Sequence, residues 1–179
     1  GHNELLLRDA LRGRNRENAV ISVKFGALRG PDGSWTGVDT RPAAIKNFLA
    51  YSLRRLGTDH IDIYRPARTD ASIPIEETVG ALAEMVQAGY IRHIGLSEVG
   101  ADTLRRAHAA GARIASSCTG TLVLARSGLL DGRMATTSWW LAPLFGQMFP
   151  AVDLDTRALV CTDGPFTTAG AAMAQMDLM

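Results

Sequence analysis

The sequence predicts an α/β fold with a mainly parallel sheet, and three observations predict it. Short apolar runs alternate with helical periodicity through the first two-thirds of the chain, glycines stand where the helices should stop, and 179 residues suffice for one well-filled core. Asn3 can cap a helix whose Leu6, Leu7, Ala10 and Leu11 share a face, with Gly13 in the stop position. Ala19 to Val23 then reads as a buried strand. A loop rich in glycine (Gly26, Gly30, Gly33, Gly37) leads to Pro42, which opens a helix with Ile45, Phe48, Leu49, Leu53 and Leu56 inward and Gly57 at its end. His60 to Tyr64 follows as a strand.

The rhythm then repeats. Ser72 and Pro74 start a helix carrying Ile75, Val79, Leu82 and Val86, Gly89 stops it, and Ile91 to Leu96 form a strand. A shorter helix from Leu104 to Ala109 leads through Gly111 into a strand at Arg113 to Ser116, followed at once by Cys118-Thr119-Gly120 and an apolar helix. Beyond Gly128 the pattern changes: loops carry Gly132, Pro143, Gly146 and Pro150, with short strands expected near Met134 to Thr136 and Ala158 to Cys161. A helix of small residues, Thr168 to Leu178, closes the sequence.

Composition limits the function classes. Hydrophobic residues at 46% and charged residues at 21% are ordinary for a globular chain, which argues against disorder or a fibrous protein. A net charge of +1 gives no electrostatic reason to bind nucleic acid or an anionic bilayer, and the cluster Arg8, Arg12, Arg14, Arg16 reads as a solvated helix end. The longest apolar stretch, Trp139 to Val152, is broken by Pro143, Gly146, Gln147 and Pro150 and falls short of the roughly 20 residues that a membrane span needs. Gly1-His2-Asn3-Glu4 has none of the features of a secretory signal, and Cys118 and Cys161 are too far apart for a disulfide framework, so a cytoplasmic setting is expected. The four histidines lack ligand-like spacing, so no metal is expected.

Four segments carry a first family resemblance. They are Asn3 to Leu7, Ser22-Val23-Lys24-Phe25-Gly26, Ser52 to Gly57 with His60 to Tyr64, and Gly89-Tyr90-Ile91-Arg92-His93-Ile94-Gly95-Leu96-Ser97. From Asn3 to about His108 the chain resembles the aldo-keto reductases, (β/α)8 barrels that move hydride between NADPH and a carbonyl. The resemblance implies an Asp and a Tyr on a segment preceding the first helix, a Lys ending a strand, and a His after the next strand. Lys24 matches the Lys, which in the family lowers the pKa of the Tyr acid, whereas Ala67 stands at the His position. Ser97 matches the residue that touches the nicotinamide carboxamide. Without a proton donor for the carbonyl oxygen or the later loops that grip the phosphates, Lys24 and Ser97 read as vestigial, and no cofactor is expected.

A second resemblance rests on Ala115-Ser116-Ser117-Cys118-Thr119-Gly120, Leu122 to Leu124, Ser127 to Arg133, Ala135-Thr136-Thr137 and Asp163 to Gly170. From about Gly111 to Met179 the chain resembles the class I glutamine-amidotransferase-like superfamily, specifically its ThiJ/PfpI-type domains. That resemblance makes Cys118 a nucleophile at a sharp strand-to-helix turn. Ser138 stands where many members carry a His, so Cys118 also reads as vestigial, and Cys161 reads as a core residue.

Together the two resemblances suggest residues 1–109 joined to residues 110–179 in one chimeric domain, 1–179. The expected architecture is three-layered or partly open, a flavodoxin-like and half-barrel hybrid with five or six strands and the Thr168 to Leu178 helix on its bare face. An uncovered sheet face or edge implies a homodimer. The function expected is that of an engineered chimera without native activity. The alternatives are a residual NADPH-binding oxidoreductase of aldo-keto reductase type and a Cys118-dependent hydratase or hydrolase-like enzyme.

Overall fold

A computed structural model of the chain describes residues 1–97 and 99–170. The chain forms two compact units, Gly1–Glu98 and Val99–Met179.

In the first unit a parallel three-stranded sheet has the order β1-β4-β5, from β1 (Ser22–Phe25), β4 (Ile61–Pro66) and β5 (Ile91–Ile94). Its helices are α1 (His2–Leu11), α2 (Pro42–Leu56) and α3 (Ile75–Gln87). Alternation in β1 buries Val23 and Phe25 and leaves Ser22 and Lys24 exposed on the other face. Val23 and Phe25 share an apolar cluster with Tyr64, Ile45, Leu49, Ala81 and Leu82, and the Phe25 and Tyr64 rings stack with centroids 4.4 Å apart. Pro42 occupies the first turn of α2, where its missing N–H costs nothing, and Gly57 ends the helix at φ +68° with its N–H on the Leu53 carbonyl.

Two expectations for this unit are corrected. Asn3 lies inside α1, with Gly1 at the cap, and Leu6 and Leu7 are exposed, because only Leu11 of that helix reaches the core. The glycine-rich loop holds an antiparallel hairpin, β2 (Ala27–Arg29) with β3 (Trp35–Val38), in which Gly33 takes φ +81° at the turn. The turn Pro31-Asp32-Gly33-Ser34, with the Ser34 N–H on the Asp32 carboxylate, was the available signal.

The second unit has a mixed sheet in the order β6-β10-β9, from β6 (Ile114–Ser117), β9 (Val160–Asp163) and β10 (Phe166–Ala169). Central β10 runs parallel to β6 and antiparallel to β9. A short parallel pair joins β7 (Met134–Ala135) to β8 (Asp153–Leu154), and α4 (Ala101–Ala109), α5 (Gly120–Arg126) and α6 (Ala142–Met148) complete the unit. Ile114, Leu124, Leu130, Phe145 and Phe166 form its core.

The expected fold class is right at the level of α/β and wrong in its detail. The strands fall into four sheets of at most three strands rather than one sheet of five or six, no closed barrel forms among the described residues, and nothing supports the flavodoxin-like arrangement. The pairing explains this: among the described residues β5 pairs with β4 alone, while β6 takes its partner from the far end of the unit. Thr168 and Ala169 belong to β10 instead of opening a helix, and the remainder of that helix, 171–178, lies outside the described residues.

Candidate active site

Parallel pairing puts the carboxyl ends of β1, β4 and β5 at one edge of the sheet, the edge where α/β proteins place their sites. Lys24 lies one residue from the end of β1, in register with Arg65 of β4. Because partners in a ladder share a face, Lys24 and Arg65 project from the same side of the sheet as Ser22, Ile63 and His93. Lys24 is exposed and has no ion pair or side-chain hydrogen bond among the described residues.

Ser97 follows the end of β5 by three residues, is half-buried, and its hydroxyl engages no partner among the described residues. Ala67 follows β4, tied to β1 by its N–H on the Phe25 carbonyl at 2.8 Å, and its methyl group has no proton to give. None of the three tyrosines stands beside Lys24. Tyr64 is buried on the opposite face, in register with Val23, and burial pushes its hydroxyl far above the usual range. Tyr51 lies in α2, and Tyr90 precedes β5 at the amino end of the strands. The sheet therefore brings Lys24 and the segment leading to Ser97 to one edge, with no tyrosine beside them among the described residues. Arg65, which the sequence reading passed over, shares the face of Lys24, and the two-residue period of β1 and β4 was the signal for it.

The second unit holds Cys118 between β6 and α5. Its φ of +53° makes it the non-glycine residue in the left-handed region among the described residues, and its side chain is partly exposed. The Cys118 N–H donates to the Ala169 carbonyl at 3.0 Å, and the Thr137 hydroxyl donates to the Cys118 carbonyl at 3.0 Å, so both neighbours hold the turn. Ser138 is buried. Cys161 is buried in β9, and desolvation raises its thiol pKa. Among the described residues no three His, Cys, Asp or Glu side chains are placed to hold a metal ion, and no helix is long and apolar enough to cross a membrane.

Parallel βα units with a strand-end lysine define the first unit as one of the α/β proteins whose site gathers at the carboxyl ends of the strands. The chain belongs to the aldo/keto reductase family, whose profile matches residues 1–127. It is 45% identical over 109 residues to probable aldo-keto reductase 1 of Glycine max, covering 60% of this chain and 31% of that one. It is 43% identical over 94 residues to aldo-keto reductase yakc of Schizosaccharomyces pombe, whose name specifies NADP(+), covering 52% of this chain and 28% of that one. Among solved structures, the holo form of aldo-keto reductase AKR11C1 from Bacillus halodurans is 28% identical with a TM-score of 0.54, over 85% of this chain and 46% of that one. The chain thus spans about a third of the curated relatives it matches.

These findings correct the expected function. The supposed joint at 109–112 falls inside the unbroken family match, and the relatives are named as reductases, so an engineered chimera without native activity is not supported. Nothing in the comparisons supports a ThiJ/PfpI or glutamine-amidotransferase-like fragment.

Proposed function

We propose that this chain acts in NADPH-dependent carbonyl oxidoreduction of aldo-keto reductase type. The observation that carries the reading is the strand-end pairing that puts Lys24 and the Gly95-Leu96-Ser97 segment at one sheet edge inside the family match. Ser97 fits the nicotinamide end of the cofactor: its half-buried hydroxyl, without a partner among the described residues, can meet a carboxamide. NADPH supplies hydride when bound. Lys24 contributes positive charge at the strand end, where it stabilises an ionised donor or a developing oxyanion. The proton must come from a group other than Ala67. Titrating the protein with NADPH and following its fluorescence tests the reading. Binding is expected, weakened about fivefold by Ser97→Ala through loss of one hydrogen bond. Unchanged fluorescence at millimolar protein overturns it.

A second reading rests on the left-handed backbone at Cys118, which presents the thiol at a strand-to-helix turn. A Cys118-dependent hydratase or hydrolase-like step requires that this thiol react faster than the buried Cys161. Iodoacetamide labelling that is equally fast in Cys118→Ser removes the premise. Self-association through the outer strands β1 and β5, each paired to one neighbour in its sheet, belongs to the same proposal. Sedimentation as a monomer across the micromolar range eliminates it.

A further inference from the structure

We infer that Lys24 and Arg65 form a seat for a small oxyanion, carboxylate or phosphate, on the open face of β1 and β4. Resting on the reductase reading, the carbonyl compound reduced is then one that bears such a group. Two cations stand directly opposite each other in the ladder, on strands about 4.8 Å apart, an arrangement that repels unless an anion lies between or above them. No carboxylate answers them among the described residues. Asp62, the nearest acid in β4, belongs to the other face and is bound to Arg16 and Arg92. The Arg65 Nε–H is buried and has no acceptor among the described residues, a condition that folded proteins rarely leave unmet.

Gly95 positions the arginine. A Cβ there would lie 2.9 Å from the Arg65 Cβ and 3.3 Å from its Cδ, so the Arg65 stem lies across the end of β5 in space that only glycine leaves open. The Arg65 stem is thereby set beside Gly95, two residues before Ser97. The planar guanidinium fork suits two oxygens of one carboxylate or phosphate, while the Lys24 ammonium supplies a point charge.

Calorimetric titration with oxalate and, separately, inorganic phosphate tests the seat without NADPH. The unaltered chain should bind one or both. Arg65→Gln and Lys24→Met should each weaken binding roughly tenfold, and Arg65→Lys less, because charge survives while the fork is lost. Gly95→Ala should weaken it with every charge retained, so it carries the test if Arg65→Gln fails to fold. Arg54→Gln, on the exposed side of α2, should change nothing. Binding of oxalate alone identifies a carboxylate-bearing compound, and binding of phosphate alone a phosphorylated one. No heat with either anion, or equal binding by Arg65→Gln and Gly95→Ala, overturns the inference. A chain that binds oxalate but never NADPH keeps the seat and loses the reductase reading. One that binds NADPH without Arg65-dependent anion binding does the reverse.

Discussion

Asp62 shows how much one side chain can hold in place. Its carboxylate, 5% exposed, accepts from the Ile21 N–H at 2.8 Å, Arg16 at 2.6 Å and Arg92 at 3.0 Å, tying the segment before β1 to β4 and β5. Burial opposes its ionisation, but the Ile21 N–H and the two arginines outweigh burial and hold its pKa below the usual carboxylate range. The stability it contributes is therefore complete above the unfolded-state pKa and is lost as pH falls through the lower folded value. Asp62→Asn should cost about 2–3 kcal/mol at neutral pH, since Arg16 loses its carboxylate partner and Arg92 keeps Glu17 alone. Urea melts at neutral and at acid pH check this: the gap between variant and parent should narrow as pH falls below the usual carboxylate range. The identity of Asp62 could be read from its strand, but its partners could not, because Arg16 and Arg92 are brought to it by the fold. Lys24 and Ser97 were named through the family resemblance of their segments, whereas Arg65 required knowing that β1 and β4 are paired.

Elements were legible where local chemistry decides them. α2 begins at Pro42 and ends at Gly57 as its sequence demands, and Gly57→Ala should cost about 1 kcal/mol. At φ +68° an added methyl group is strained, and it would also lie 3.3 Å from the Arg8 stem. A lower urea midpoint with an unchanged denaturant slope is the expected signature. Elements were illegible where distant partners decide them. Thr168 and Ala169 precede a small-residue stretch with helical composition, yet they form the central strand of a sheet because β6 and β9 flank them. α6 was hidden by Pro143 and Gly146, although proline in a first turn is compatible with a helix.

At the scale of the whole molecule, the two apolar clusters share no residue among those described. Leu82→Ala, at a fully buried site in the first, should cost about 3 kcal/mol. Hydrogen exchange should quicken at the amides of β1, β4 and β5 and stay unchanged at those of β6, β9 and β10; equal acceleration in both sets would refute the separation. Strand order also has a consequence during synthesis. β1 pairs with β4 and β4 with β5, the next of the three to leave the ribosome in each case, so that sheet can grow as the chain emerges. Ile114 of β6 must wait for Phe166. Until then a nascent chain carries an unpaired strand, and the interval between those two residues is when a chaperone has most to protect.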